Sequence, residues 1–434
     1  MDLVSQLVGR NFSTRAGELH LAGLAIGQII AEYGTPLFVY SGDVLDRTWT
    51  LLRATFPTRF DICYSVKANP NPSILGRFVA KGCGLEVASA GELGLALAAA
   101  CPREGIVFAG PGKSDSELEY ALRERIGEIH LESFREAERI SIIARKLGIR
   151  APVALRVNPA AEAQGGAMRM GGKPAPFGID EECIDEAVDT LRGDAAIEFR
   201  GLHLFAGTQI LDPAVLLRQY RKGLELARRI AARLSSPPVT LDFGGGLGIP
   251  YFLGERELDM AALRAGVSQL VEEADSDPLL RSTRFVIEPG RYLVGEAGIY
   301  VTRIVDVKVS RGKTFLILDG GMNHHLAASG NLGQVIKRTF PVSLLNKMNK
   351  EATETADLVG PLCTPLDTFG RDVRLPAAAV GDPVGIFQSG AYGLSASPVH
   401  FLSHVSPAEV LVENGRAHLI RRRGALTSTQ HGSE

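Results

Sequence analysis

Lys67 closes an apolar run, residues 60–66, and is followed at once by Ala68-Asn69-Pro70-Asn71-Pro72. An apolar run bounded by Asn-Pro punctuation reads as a buried strand ending in a loop. A lysine at the mouth of a buried strand is desolvated, which lowers its pKa and frees its amine to attack a carbonyl. The bland reading is a solvated strand-end lysine, so its meaning depends on the motifs that follow. Asp242-Phe243-Gly244-Gly245-Gly246-Leu247-Gly248 directly follows a strand-like run. Three consecutive glycines let the backbone approach a ligand and aim several N–H groups at one phosphate, unless they form only a flexible turn. Glu288-Pro289-Gly290-Arg291 places a carboxylate and a guanidinium on a rigid turn. These suit a cationic ring nitrogen and a phosphate, or simply each other. Cys363 in Gly360-Pro361-Leu362-Cys363-Thr364 and Tyr392 in Ser389-Gly390-Ala391-Tyr392-Gly393 put a thiol and a phenol in glycine-rich loops. Alone, either reads as packing.

These residues need a scaffold, and the chain supplies an alternating one. Strand-like runs fall at 38–40, 61–66, 84–87, 106–108, 128–131, 153–157, 198–205, 240–243 and 284–287. Helical stretches sit among them at 90–100, 114–125, 133–147, 181–191, 214–234 and 260–273. Alternation at this spacing means parallel βαβ units, and about eight of them close into a barrel with its chemistry at the C-terminal strand ends. Near Glu296 the texture changes to strand runs at 299–309, 314–318, 355–359, 383–388 and 409–413, joined by Gly, Asn, Asp and Pro turns. The expectation is an α/β protein: a (β/α)8 barrel over 36–295 and a β domain formed by 1–35 with 296–434. The Gly-, Ala- and Met-rich stretch 160–176 reads as an active-site flap or as disorder, and the tail 421–434 as frayed.

Composition narrows the class. The chain has 434 residues, 45% hydrophobic and 22% charged, which permits a large core. A net charge of −2 gives no handle for nucleic acid or anionic membrane. No segment reads as a signal peptide or a membrane span. Five cysteines at irregular spacing, without a C-x-x-C pair, argue against a disulfide framework or a metal site and for a reducing, cytoplasmic setting.

Taken in order, the motifs resemble the fold-type III pyridoxal-phosphate decarboxylases, the diaminopimelate/ornithine decarboxylase family, with alanine racemase more distant. The resemblance covers residues 35–412. It implies a barrel of the alanine-racemase/ornithine-decarboxylase type, the cofactor pyridoxal 5'-phosphate, and a homodimer with shared active sites. By resemblance, Lys67 would carry the cofactor as a Schiff base. Gly244, Gly245 and Gly246, with Arg291 and Tyr392, would hold its phosphate. Glu288 would face its ring nitrogen, and Cys363 would cross from the partner subunit to protonate Cα. Phe205 and Thr208 match the segment that lies against the cofactor in those families. A carboxylate at the ring nitrogen makes the cofactor a strong electron sink, whereas alanine racemases place an arginine there. Glu288 therefore favours decarboxylation over racemisation.

The departures bear on the substrate. Diaminopimelate decarboxylases follow the cysteine with Glu-Ser, and ornithine enzymes with an aspartate; here Cys363-Thr364-Pro365 stands. Diaminopimelate enzymes place an arginine shortly after Asp-Gly-Gly-Met, but Asp319-Gly320-Gly321-Met322-Asn323-His324-His325-Leu326 has none before Arg338. The stacking histidine of those families aligns with Phe205 in His203-Leu204-Phe205-Ala206-Gly207-Thr208-Gln209, where an aromatic ring can still stack. With Met170-Gly171-Gly172-Lys173-Pro174, these features resemble the butirosin-type glutamyl-carrier-protein decarboxylase branch. The implied activity is decarboxylation of an L-amino acid that is acylated at its side-chain end or tethered to an acyl-carrier protein. Diaminopimelate decarboxylation is the alternative, and racemisation a weaker one. Thr364 and His325 are the substrate candidates; Arg169 and Lys173 are further places where a distal contact could arise.

Overall fold

The computed structural model describes residues 2–160, the backbone of Met168 and Arg169, and residues 174–205, 207–334 and 336–424. The chain divides into two compact units, one of residues 49–249 and 256–290, the other of residues 1–48, 250–255 and 291–434.

The first unit is a closed barrel of eight parallel strands. In ring order they are Phe60–Ser65, Gly84–Val87, Ile106–Phe108, Glu128–Leu131, Ala151–Asn158, Ile197–Leu204, Thr240–Asp242 and Arg284–Ile287. The last pairs back onto the first, Phe285 with Phe60 and Ile287 with Ile62. Strands flanked by helices are covered on the outside and filled on the inside, which explains their nearly unbroken burial. Helices between strands start at side-chain caps: Ser89 before Ala90–Ala98, Ser133 before Phe134–Leu147, Asp259 before Met260–Ser276. Ser114 and Glu117 form a reciprocal box at the start of Asp115–Glu124.

The second unit is built on a sheet running Thr368–Leu375, Glu354–Val359, Lys313–Leu318, Gly298–Ser310, Leu37–Ser41, Ala408–Glu413, Arg416–Arg421. The long strand Gly298–Ser310 serves two groups of partners. Its start pairs with Leu37–Ser41 and Pro383–Ile386, and after an irregularity between Ile304 and Asp306 its end pairs with Lys313–Leu318. Its core joins Leu7, Leu19 and Ile29 to Val39, Ile299, Phe387 and Val410, so the N-terminal segment packs with the late strands.

The division differs from the 36–295 boundary expected from sequence in one instructive way. Of the nine strand-like runs before Glu296, the first belongs to the other unit. Leu37–Ser41 pairs antiparallel with Gly298–Val301 and parallel with Ala408–Val412. Its five residues are all buried, so its local pattern matches a barrel strand, and only long-range pairing separates the two. Residues 250–255 and 291–295 likewise go with the second unit. Helices Gly42–Thr55 and Pro72–Val79 and strand Thr368–Leu375 were not read from the sequence. The expected flap falls mostly outside the described residues, as do Met170, Lys173, the side chain of Arg169 and residues 425–434. The backbone of Met168 and Arg169 pairs antiparallel with Gly207 and Thr208.

Candidate active site

Lys67 lies in a single helical turn, Val66–Ala68, at the C-terminal end of the first barrel strand. The turn buries Val66 and Ala68 and rolls the lysine outward. Its side chain is 46% exposed, which corrects the expectation of a desolvated amine. An ion pair positions it instead: Nζ lies 2.9 and 2.8 Å from the two carboxylate oxygens of the buried Glu86. Ser65 Oγ donates to the same carboxylate. The Glu288-Pro289-Gly290 turn sits directly on this one. Ser65 N donates to Pro289 O (3.2 Å), and a Cβ on Gly290 would lie 3.0 Å from Ala68 Cβ.

Glu288 is buried among ionisable neighbours. Its Oε2 is 3.4 Å from His203 Nε2 and its Oε1 is 3.7 Å from His130 Nδ1. Burial would raise its pKa, but His203, His130 and Lys67 outweigh burial and hold it below the ordinary carboxylate range. Asp242 behaves oppositely: burial, then the charge of Glu288, push it well up, so it holds its proton. Burial and His130 push His203 down to about 4 despite Glu288. Sequence reading expected no metal. The ligating atoms of His130, His203, Asp242 and Glu288 nevertheless lie within 4.8 Å of one another, a grouping that could hold an ion.

The glycine loop is a cradle that side chains would fill. Gly244 and Gly246 have left-handed backbones, φ +68° and +107°. A Cβ on Gly244 would lie 2.6 Å from Leu204 O, and one on Gly245 2.5 Å from Glu288 O. Phe205 is half-buried with its ring against this loop, and Thr208 is half-buried in the short strand Gly207–Thr208.

In the second unit, Arg291 is held between two phenols. Its Nη1 donates to Tyr251 OH (3.0 Å), and its Cζ stands 4.7 Å from the Tyr392 ring centroid and 5.4 Å from that of Tyr251. Tyr392 has φ +52°, a strained backbone for a residue with a side chain, and such strain collects at functional sites. Cys363 is exposed and Thr364 half-buried, on a loop that Asp367 organises. Asp367 accepts from Leu362 N (2.9 Å) and from Met322 N (2.6 Å), tying the Cys363 loop to the Asp319-Gly320-Gly321-Met322 turn. His325, expected among substrate contacts, is a correction. It is fully buried, its ring 5.6 Å from Phe38 and 5.9 Å from both Tyr300 and Phe340, so it serves packing.

These residues suit the cofactor expected from sequence. Glu288 Oε1 is buried with no hydrogen-bond partner, so a cationic ring N–H would complete it. The glycine cradle suits a phosphate. In the second unit, the buried Nε of Arg291 also lacks a partner and suits an anion. Glu86, His130, Tyr251 and Asp367 were not picked out from sequence. Each acts through a partner at least 19 residues away, and no local signal marks it. Among the described residues, no helix is long and apolar enough to cross a membrane.

Comparison with known proteins adds three findings. The model of the pyridoxal-dependent decarboxylase family, pyridoxal binding domain, matches residues 43–295. The chain is 39% identical over 422 residues to the L-glutamyl-[BtrI acyl-carrier protein] decarboxylase of Niallia circulans, spanning 96% of this chain and 98% of that one. It is 33% identical over 413 residues to the diaminopimelate decarboxylase of Aquifex aeolicus, spanning 94% of each. The crystal structure of diaminopimelate decarboxylase from M. jannaschii superposes with a TM-score of 0.89 at 25% identity, covering 98% of this chain and 99% of that one.

Proposed function

The chain belongs to the pyridoxal-dependent decarboxylases, and on that footing we propose that it removes the α-carboxylate of an L-amino acid acylated at its side-chain end or tethered to an acyl-carrier protein. The cofactor is pyridoxal 5'-phosphate. When bound, it supplies an electron sink for the pair left behind as carbon dioxide departs.

The chain's own residues divide the remaining work. Lys67 would hold the cofactor through its amine, placed for this by Glu86. Glu288 would accept the ring N–H and keep that nitrogen protonated. The N–H groups of Gly244, Gly245 and Gly246, with Arg291 and Tyr392, would take the phosphate, and Phe205 would offer a ring to stack on. As the C–C bond breaks, Cα gains an electron pair; the Cys363 thiol would deliver a proton there. In this reading Cys363 comes from the partner subunit of a homodimer, so two chains complete each site.

The observation that carries the substrate reading is a missing charge. Thr364 stands where related enzymes carry an acid for a distal amine. The segment expected to bind a distal carboxylate has none of the needed cation: Asn323 is buried, His324 is tied to Tyr300 and Val405, and His325 is sealed in aromatic packing. Burial pushes both histidines down, to about 4 and about 3, so neither is charged at neutral pH. Neither segment offers a partner to a free distal charge, and discrimination is built from such buried polar contacts. The 39% identity to an enzyme named for a glutamyl carrier-protein substrate supports the same class. The test is product analysis by mass spectrometry of the purified enzyme with free amino acids and with aminoacylated carrier proteins. Efficient formation of lysine from free diaminopimelate would return the chain to the diaminopimelate decarboxylases.

A further inference from the structure

Arg291 and Tyr392 are mounted on two backbone segments that meet. The helix Arg291–Val294 continues into a single tight turn, Gly295–Ala297, and the loop carrying Tyr392 is seated on that turn. Gly390 N donates to Gly295 O (3.0 Å), and Ser389 N donates to Gly298 O (2.8 Å). The approach is so close that a Cβ on Gly390 would collide with Val294 O, so only glycine fits there. Thr48 Oγ1 adds a hydrogen bond to Leu293 O (2.8 Å).

The middle residue of the turn is Glu296, a buried carboxylate. Two residues at the end of the N-terminal helix Leu3–Asn11 grip it. Arg10 Nη2 lies 2.6 Å from its Oε1, and Asn11 Nδ2 donates to its Oε2 (3.1 Å). Arg47 braces both: Nη1 donates to Arg10 O (2.9 Å) and Nη2 to Asn11 Oδ1 (2.5 Å), with Nη2 3.8 Å from Glu296 Oε2. The helix is already fastened by its apolar side, with Leu7 and Val8 in the core of this unit. Adhesion alone would not call for a buried carboxylate, which costs desolvation and is held only by well-aimed partners. What charge-assisted hydrogen bonds add is direction.

We propose that Glu296 is a positioning residue for the cofactor's phosphate: held by Arg10 and Asn11, it fixes the turn on which Arg291 and Tyr392 are both mounted. The inference rests on the assignment of Arg291 and Tyr392 to that phosphate above. Glu296 stands five residues after Arg291 in one continuous stretch of helix and turn, and its backbone neighbour Gly295 accepts from the Tyr392 loop. A shift of this turn moves both phosphate residues together. The N-terminal helix thereby becomes part of the phosphate site, through the backbone it holds.

The experiment measures Kd of the full-length apo-enzyme for pyridoxal 5'-phosphate and for pyridoxal, which lacks the phosphate, together with Tm. Both ligands share the ring and the aldehyde, so the ratio of the two constants reads the phosphate site alone. In Arg10→Ala and Glu296→Gln the preference for the phosphorylated ligand should fall by at least about tenfold, through weaker binding of pyridoxal phosphate. Arg10→Lys, which keeps the charge, should recover part of that preference. A grip that serves stability alone would lower Tm and leave the ratio where it is. A wild-type ratio in folded Arg10→Ala or Glu296→Gln therefore overturns the inference. Asn11→Ala, a milder change, decides the matter if neither folds: its preference should fall severalfold, and a wild-type ratio would again overturn the inference. Wild type that binds pyridoxal as tightly as pyridoxal phosphate would instead remove the phosphate assignment of Arg291 and Tyr392.

Discussion

Lys67, in the turn that follows the first barrel strand, and Glu86, on the adjacent parallel strand, form a preformed pair, the amine 2.8 and 2.9 Å from the two carboxylate oxygens. The carboxylate is buried while the lysine is half open, so the reactive group is fixed at its base and reachable at its tip. Borohydride reduction of the loaded enzyme should therefore leave the cofactor on the peptide containing Lys67. Lys67→Ala should fold but lose the visible absorption of the bound cofactor. Recovery of the label on any other lysine would remove Lys67 from its role.

Glu86→Ala strips the acceptor from Lys67 and from buried Ser65 Oγ. Leaving a buried donor unsatisfied costs about 1–3 kcal/mol, so chemical denaturation should show a loss of that order. Glu86→Gln, which keeps an acceptor, should lose less. Equal stability of both variants with wild type would mean the pair is incidental.

If Cys363 protonates Cα, Cys363→Ala should retain cofactor and lose amine formation by about 10²–10⁴-fold, the usual weight of general acid catalysis. Mixed dimers of Cys363→Ala with Lys67→Ala should regain part of the activity, because one composite site would be intact. Inactive mixed dimers, with heterodimers verified by mass, would place both residues in one chain's site.

Asp367 supports Cys363 through backbone contacts rather than chemistry. Asp367→Ala removes the acceptor for both Leu362 N and Met322 N. The expected result is destabilisation of about 1–3 kcal/mol or more, with turnover falling although Cys363 is untouched. Unchanged melting and unchanged turnover would show that the loop holds its shape without the clamp.

Two buried histidines give acid sensitivity a definite sign. Burial lowers His324 to about 4 and His325 to about 3, against about 6.5 when unfolded. Between pH 6.5 and 4 the unfolded chain therefore binds more protons than the folded one. Stability is fully present above 6.5 and falls with pH across that window, by up to about 1.4 kcal/mol per unit for each histidine. His325→Phe, which keeps an aromatic ring among Phe38, Tyr300 and Phe340, should flatten the acid limb measured by denaturation from pH 7 to 4.5. An identical slope in the variant would assign the acid sensitivity elsewhere.

Eight barrel strands, the glycine loop, the Glu288 turn and the strand-end position of Lys67 were legible in the sequence because each is a local pattern. Parallel strands are apolar runs, and Gly-Gly-Gly and Pro-Gly mark turns wherever they occur. The tertiary structure decided the rest. It took Leu37–Ser41 out of the barrel, since an all-buried strand carries no mark of its partner. It sealed His325 in aromatic packing and left Lys67 half open. It brought Glu128 to Thr240 across 112 residues, and Met322 to Asp367 across 45. Burial and charge pairing depend on how the chain closes, and closure joins residues whose separation in sequence holds no trace of their contact.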